Sequence, residues 1–281
     1  MAISARLIER LQTFPAFLEH AAARMAPADV TRHQEAGGFS LVEHACHLRD
    51  YDAEGCVARI ARMLTEDVPA LPDFPGETLA RDRRYREQDL ASAVAAFARN
   101  RARTIVVASG LSSADLARTA CLDARGVVTV GELLEIVADH DEEHRREIDA
   151  LVHSLDVEHL RAMAQTFAEG FNAGDIDRIM HYYGSTYVDV NLRRPVQSHA
   201  VRREYFTRLI ARGGMRIDVC PDDIAIEGAT AIVRGRVEIR AASEGESGLP
   251  ARELRYLEVA RKGLDGLWTA VCGMDGPVQD A

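Results

Sequence analysis

The residues of this chain best suited to chemistry are histidines, and two of them, His140 and His144, stand four apart in TVGELLEIVADHDEEHRREIDALVHSL, Thr129 to Leu155. On a helix, four residues return a side chain to within about 40° of its starting direction, one turn higher. Both imidazoles then leave one face, and neutral imidazole nitrogens suit zinc, nickel and iron alike. Two ligands are too few. A catalytic site of this kind takes a third from a neighbouring element and keeps one position open. The stretch GGFSLVEHACHLRDYD offers His44 and His47. His47 is the better placed, because Leu48 and Tyr51 flank it on the same inward side, with His44 one turn earlier. Carboxylates near such an ion would be Asp50, one turn beyond His47 and able to orient an imidazole, and Asp139 or Glu143 beside the histidine pair. On its own, an HxxxH on an acidic helix is more often a solvated face, and Glu142, Glu143, Arg145 and Arg146 read as helix surface.

Holding such ligands together takes a bundle. Leu7, Ile8, Leu11, Phe14, Phe17 and Leu18 form a helical stripe over Ser4–Met25, crossed by Pro15, which predicts a kinked or split helix. Ser40 with Glu43 makes a capping box that opens a second helix running to about Leu64. Thr65 to Gly76 holds three prolines and reads as a covering loop. A third helix is expected over Asp89–Val107, an extended stretch over Cys121–Val128, and a second capping box at Thr129 and Glu132. Four helices, each with an apolar face, predict an all-α four-helix bundle over residues 1–154. The second half, 155–281, changes character. A helix over Val157–Asn172, a turn at Asn172–Asp175, a short helix, a strand at Tyr187–Asn191 and a helix over Ser198–Arg212 lead to Gly213-Gly214. Period-two alternation then predicts a four-strand antiparallel meander, with hairpin loops at Glu244–Pro250 and Leu264–Gly266. Helices followed by an antiparallel sheet make an α+β domain.

At 281 residues, 47% hydrophobic and 28% charged, the chain has the length and composition of two soluble globular domains. A net charge of −10 and the lack of any basic run argue against nucleic acid as a partner. No segment approaches the ~18 apolar residues of a membrane span, and Met1–Phe14 has no apolar run of signal-peptide length. Five scattered cysteines without a CxxC suit a reducing compartment. The single lysine, Lys262, argues against Schiff-base catalysis. A cytoplasmic protein acting on a small molecule, with neither nucleic acid nor membrane as partner, is the expectation.

Taken together, GGFSLVEHACHLRDYD and ELLEIVADHDEEHRREIDAL resemble the DinB-like superfamily of metal-binding four-helix bundles, over about residues 1–153. The resemblance implies a divalent metal held by His47, His140 and His144, although the tryptophan common at the place of Phe39 is missing. Such a metal could lower the pKa of bound water and give a hydrolase, and, since that family includes thiol-dependent transferases and isomerases, the resemblance equally implies a thiol S-transferase/isomerase using a low-molecular-weight thiol. FAEGFNAGDIDRIMHYYGSTYVDVN, REYFTRLI and DGLWTAV, in that order, resemble the SnoaL-like, nuclear-transport-factor-2-like cone over about residues 156–277. Such a cone wraps a curved antiparallel sheet around helices and leaves an apolar pocket. Ketosteroid isomerase and polyketide cyclases share that fold and move protons with buried acids. The resemblance therefore implies Asp189 and Glu258 as proton carriers. Phe167 stands at the oxyanion-binding tyrosine's place and Asn191 at the ungapped place of the base, both departures. His181, Tyr182, Tyr183 and Trp268 would line the pocket. The leading expectation is a metal-dependent enzyme. The alternatives are acid/base isomerase or cyclase chemistry in the second pocket, or a non-catalytic ligand-binding or dimerisation module. Both folds commonly pair, which implies a homodimer.

Overall fold

The computed structural model describes residues 3–34, 37–123, 125–192, 196–242 and 252–277. The chain divides into two compact units, Met1–Val152 and His153–Ala281, each described by itself. No helix among the described residues is long and apolar enough to cross a membrane.

The first unit is a four-helix bundle. Its first helix, α1 (Ala5–Ala23), starts where Ser4 accepts the backbone N–H of Leu7 at 3.1 Å. Pro15 lies inside α1, which is nevertheless one uninterrupted helix. Proline cannot donate to the carbonyl four residues back, so Leu11 loses its helical partner. Nη1 of Arg101 takes that carbonyl instead, at 3.2 Å. α2 (Leu41–Asp50) begins at the Ser40 cap, whose backbone N–H is held by Glu43 at 2.9 Å. A π-helical stretch, Tyr51–Val57, joins α2 to α3 (Ala58–Thr65), so the expected second helix carries a widened turn in its middle. Gly55 permits close packing there, since a Cβ on it would lie 2.9 Å from Cδ2 of Tyr51.

The proline-rich segment places β1 (Ala70–Leu71) and Phe74, followed by α4 (Gly76–Asp82). α5 (Leu90–Gly110) is capped by Asp89, which accepts the Ser92 N–H at 2.7 Å. After α6 (Ser113–Leu116), β2 (Thr119–Leu122) and β3 (Gly126–Thr129) join β1 in a small sheet of order β1-β2-β3. The fourth bundle helix belongs to α7 (Val130–Ala173), opened by Thr129, whose backbone N–H is held by Glu132 at 2.7 Å. Leu11, Ile60, Met63, Leu133 and Val137 are fully buried where the helices meet.

The sequence suggested two helices, ending at Leu155 and restarting at Val157, where α7 is one. The residue between them, Asp156, is not used as a cap. Its carboxylate accepts Nε1 of Trp268 at 2.8 Å and pairs with Nζ of Lys262 at 2.6 Å. With no Gly or Pro nearby, nothing stops the helix.

In the second unit, α8 (Ile176–Met180), β4 (Tyr183–Asp189), β5 (Val196–Ser198) and α9 (His199–Ala211) precede four long strands. These are β6 (Met215–Glu227), β7 (Thr230–Ala241), β8 (Arg252–Lys262) and β9 (Trp268–Pro277). They form the expected antiparallel meander, but the sheet has six strands, in order β5-β4-β9-β8-β7-β6. β4 lies parallel to β9, which makes the sheet mixed. MRIDVC and DIAIEG, separate runs in the sequence, are the single strand β6, whose register shifts between Pro221 and Asp223 because proline cannot join the ladder. The Asn172 side chain pairs with both backbone groups of Ile217 at 2.8 Å and so anchors edge strand β6 to the end of α7. Phe171, Ile179, Tyr183 and Phe206 pack the helices onto the sheet. The loop expected at Glu244–Pro250 lies outside the described residues.

In the bundle, Arg101 is fully buried between two carboxylates, Asp52 and Asp141. Replacing it strands both acids and the Leu11 carbonyl. Arg101→Met is expected to destabilise the first unit by about 3–5 kcal/mol, read as the urea transition of helical circular dichroism. A loss under about 1 kcal/mol would contradict this account.

Candidate metal centre and a second polar cavity

His47 enters the site from α2, and His140 and His144 from α7. Nε2 of His140 lies 3.1 Å from Nε2 of His47 and 3.1 Å from Nε2 of His144. The ligand atoms of all three lie within 4.8 Å of one another. Imidazoles sharing an ion at 2.0–2.1 Å have their nitrogens roughly 3.0–3.4 Å apart, so the donor set fits a divalent cation. Burial, reinforced by His144 alongside, lowers His47 to about 4 and His140 to about 2. Both are neutral with free lone pairs, the state a metal requires. Tyr51 stacks on His140 at 4.0 Å between ring centroids, and Phe74 meets His47 edge-on at 5.7 Å. The proline-rich loop does cover something: it supplies Phe74 and Gly76. A Cβ on Gly76 would lie 2.6 Å from Cε1 and 2.9 Å from Nδ1 of His47, so only glycine leaves room for this ring position.

The supporting carboxylate is one the sequence reading passed over. Glu147 places Oε2 3.0 Å from Nδ1 of His144, three residues along the same helix face. His44 brings its Nδ1 to 2.9 Å from the same nitrogen. Burial, with His144 adding to it, lowers His44 to about 3. Spacing alone could have flagged Glu147, which is i+3 from His144. Nδ1 of His47 and Nδ1 of His140 are buried without partners among the described residues. Asp50 does not orient an imidazole: Arg49, Arg83 and Tyr85 all donate to its carboxylate, the last two at 2.6 Å. Asp139 points to Arg10 at 2.6 Å, and Glu143 is exposed. His44, His47 and His144 border an open cleft of about 700 Å³, with Phe39, Ala150 and Leu151 as apolar wall and Arg146 and Glu147 among its polar lining.

The second unit encloses a smaller cavity of about 100 Å³, lined among others by Tyr182, Tyr183, Asp189, Arg202, Tyr256 and Glu258. Both expected acids border it, in different states. Glu258 is buried, accepts the Tyr182 hydroxyl at 2.5 Å, and is pushed up to about 8 by burial. Asp189 pairs with Nη1 of Arg202 at 3.2 Å. Arg202, itself buried, also donates to the Tyr183 hydroxyl at 2.7 Å. Phe167 packs on Tyr182 at 4.8 Å, filling the place where the resemblance expects a hydroxyl. Asn191 turns away, its amide donating to the Asp275 carbonyl. Two expected lining residues are elsewhere. His181 is exposed, with Nδ1 2.7 Å from the Asp177 carbonyl, and Trp268 is in the core on Asp156.

Residues 10–148 match the model of the DinB superfamily and residues 164–271 that of the SnoaL-like domain. The protein therefore joins a DinB-like half to a SnoaL-like half. Among solved structures it is similar to YfiT from Bacillus subtilis, described as a probable metal-dependent hydrolase with an unusual four-helix bundle topology. That likeness has 20% identity and a TM-score of 0.51, and covers 56% of this chain and 91% of that one. An NTF2-like family protein from Streptomyces avermitilis aligns at 20% identity and a TM-score of 0.38 over 46% of this chain and 99% of its own. An NTF2-like protein with a cystatin-like fold from Novosphingobium aromaticivorans does so at 16% and 0.41 over 48% and 91%. No curated protein matches.

A carboxyl raised from 4.5 to about 8 makes stability depend on pH in a fixed direction. Between those values the folded state keeps a proton that the unfolded chain has lost, so stability is greatest below the lower value and declines as pH rises to the upper. The second unit is expected to lose up to about 1.4 kcal/mol per pH unit across this window, and Glu258→Gln to flatten the slope. Urea titrations followed by fluorescence of Trp268, the one tryptophan, report on this unit. Equal slopes in the two proteins would refute a neutral Glu258.

Proposed function

We propose that the protein is a divalent-metal-dependent enzyme acting on a small molecule, with His47, His140 and His144 holding the ion and hydrolysis or thiol transfer as the reaction. The observation that carries this reading is the convergence of three imidazoles, one ring nitrogen of each within 4.8 Å of the others, with His47 and His144 bordering an open cleft. The likeness to YfiT supports the hydrolytic form. The DinB resemblance supports the thiol form, with a low-molecular-weight thiol as second cofactor. Zinc, nickel and iron all suit three imidazoles. Once bound, the ion supplies Lewis-acid activation of a water or thiol nucleophile. The chain supplies the rest. Burial keeps His47 and His140 unprotonated, Glu147 orients the His144 ring, and Gly76 lets the His47 ring lie flat. Phe39, Ala150 and Leu151 shield the apolar part of a substrate from water.

A second reading has its own support. Glu258, neutral and joined to Tyr182, is a proton donor facing a cavity, which suits isomerase or cyclase chemistry with Asp189 as the other proton carrier. A third makes the second unit a ligand-binding or dimerising module. Leu257 and Met274, exposed and paired across β8 and β9, support a homodimer. Five cysteines free of disulfides support a cytoplasmic setting, and the charge of −10 supports small molecules rather than nucleic acid as partners.

Metal analysis of the purified full-length protein tests the first reading. Near-stoichiometric metal is expected, absent from the His140→Ala/His144→Ala variant. Substoichiometric metal with a melting temperature that chelators leave unchanged would sink it. An activity insensitive to chelators but abolished by Glu258→Gln would move the chemistry to the second cavity. Gly76→Ala is expected to weaken zinc binding about 10–100-fold by displacing the His47 ring, measured by competition with a chromophoric chelator. Unaltered affinity would show that the ring adjusts freely.

A further inference from the structure

His44 is a buried histidine to which the metal reading gives no task. It lies on α2 one turn before His47, borders the same cleft, and is 2% exposed. Phe39 holds its ring edge-on, with centroids 5.6 Å apart. Its Nδ1 is 2.9 Å from Nδ1 of His144. Two imidazole nitrogens this close cannot both carry protons, and two bare lone pairs would repel, so one donates and the other accepts.

The other edge of His144 decides which. Its Nε2 is 3.1 Å from Nε2 of His140, at the point where the three rings converge. A nitrogen giving its lone pair to a cation carries no proton. The ring proton of His144 is then on Nδ1, with Glu147 at 3.0 Å as a further acceptor. His44 accepts through a bare Nδ1, so its own proton sits on Nε2. Among the described residues that nitrogen has no hydrogen-bond partner.

We propose that His44 is the substrate-binding hydrogen-bond donor of the cleft, held by His144 as the Nε2–H tautomer and presenting that N–H to an acceptor oxygen, carbonyl or carboxylate, of the bound molecule. The inference rests on the metal reading, because the metal point is what assigns the proton of His144. It accounts for two histidines on one face of α2 where a three-ligand site needs one. It also gives the contact between the two Nδ1 atoms a purpose, since it fixes the direction in which His44 can donate. The competing arrangement is a second ion between His44, His144 and Glu147, whose ligand atoms also lie within 4.8 Å of one another. That arrangement requires His144 to give up its remaining ring proton and bridge two cations, whereas the hydrogen bond leaves that proton in place.

Cobalt-loaded full-length protein, with acetate as the probe ligand, tests the proposal. Wild type, His44→Phe and His44→Gln should each bind one ion per chain. Acetate, followed through the visible cobalt spectrum, should bind about tenfold more weakly to His44→Phe, the worth of one hydrogen bond to a charged acceptor. His44→Gln, whose amide N–H reaches the position of Nε2, should recover most of that loss. Where the phenyl ring disturbs folding, His44→Asn, whose amide reaches only as far as Nδ1, takes its place. Nitrogen-15 spectra of the zinc-loaded wild type should show His44 as the Nε2–H tautomer. Equal acetate affinity in all variants, or a proton on Nδ1 of His44 with one zinc bound, overturns the proposal while leaving the metal reading intact. Two ions per chain, falling to one in His44→Phe, assign His44 to a second metal and overturn it as well. Failure of the wild type to hold stoichiometric metal overturns the metal reading, and this inference with it.

Discussion

The bundle depends on one guanidinium. Arg101 has five N–H groups, and each has an acceptor: Asp52 takes two, Asp141 takes two, and the Leu11 carbonyl takes one. Its acceptors come from α1, from the π-helical turn after α2, and from α7, while Arg101 itself is on α5. All four bundle helices therefore meet at one residue. Although burial opposes its charge, the flanking Asp52 and Asp141 hold its pKa above the ordinary arginine value. The geometry explains why arginine is used: a planar fork can serve two carboxylates and a carbonyl at once, and a lysine's single ammonium cannot. A buried ion pair of this kind adds little net stability over a well-packed apolar substitute, but it strongly penalises misregistered packing.

Register is what the histidine cluster needs. Asp141 immediately follows His140, and Asp52 is five residues beyond His47. By fixing how α7 and the α2 segment slide and rotate against α5, Arg101 also fixes where the imidazoles meet. The widened turn contributes, since Tyr51 and Asp52 are its first two residues. One covers the His140 ring and the other grips Arg101. Widened helical turns of this sort recur at functional sites because they redirect side chains without ending the helix. The same hub removes the penalty of Pro15, whose unpaired Leu11 carbonyl becomes a required acceptor.

Much of this was readable in the sequence wherever the signal was local. The His140–His144 spacing, the boxes at Ser40/Glu43 and Thr129/Glu132, and the shift to period two after Gly214 each arise from neighbours along the chain, and the structure contains each. What escaped reading depends on partners far away. Arg101 sits in RNRAR and looks like helix surface until Asp52 and Asp141 close around it. Asp156 has the local character of a helix cap, and only Trp268 and Lys262, more than a hundred residues on, make it a core acceptor. Gly76 looked like the end of a loop, because nothing near it in sequence announces the His47 ring. The one-turn spacing of Asp50 from His47 suits an imidazole partner, but Arg83 and Tyr85, which claim it, come from another segment. The pairing of β4 with β9 was hidden for the same reason: a strand's pattern shows which face is buried and leaves its partner open.

Burial serves both halves of the protein and gives opposite chemistry in each. Removing water disfavours charge, so an imidazole is left with a free lone pair and a carboxylic acid with its proton. In the bundle the outcome is a pair of uncharged imidazoles, His47 and His140, each lowered further by its neighbours. In the second unit it is a carboxylic acid that keeps its proton, Glu258, close to a buried arginine that pulls the other way. Glu258 stays neutral even so, and the pairing around Arg202 provides a reason. Asp189 at 3.2 Å and the Tyr183 hydroxyl at 2.7 Å occupy the guanidinium and reduce its field at Glu258. Through its pairing with Arg202, Asp189 thus helps the neighbouring acid keep its proton.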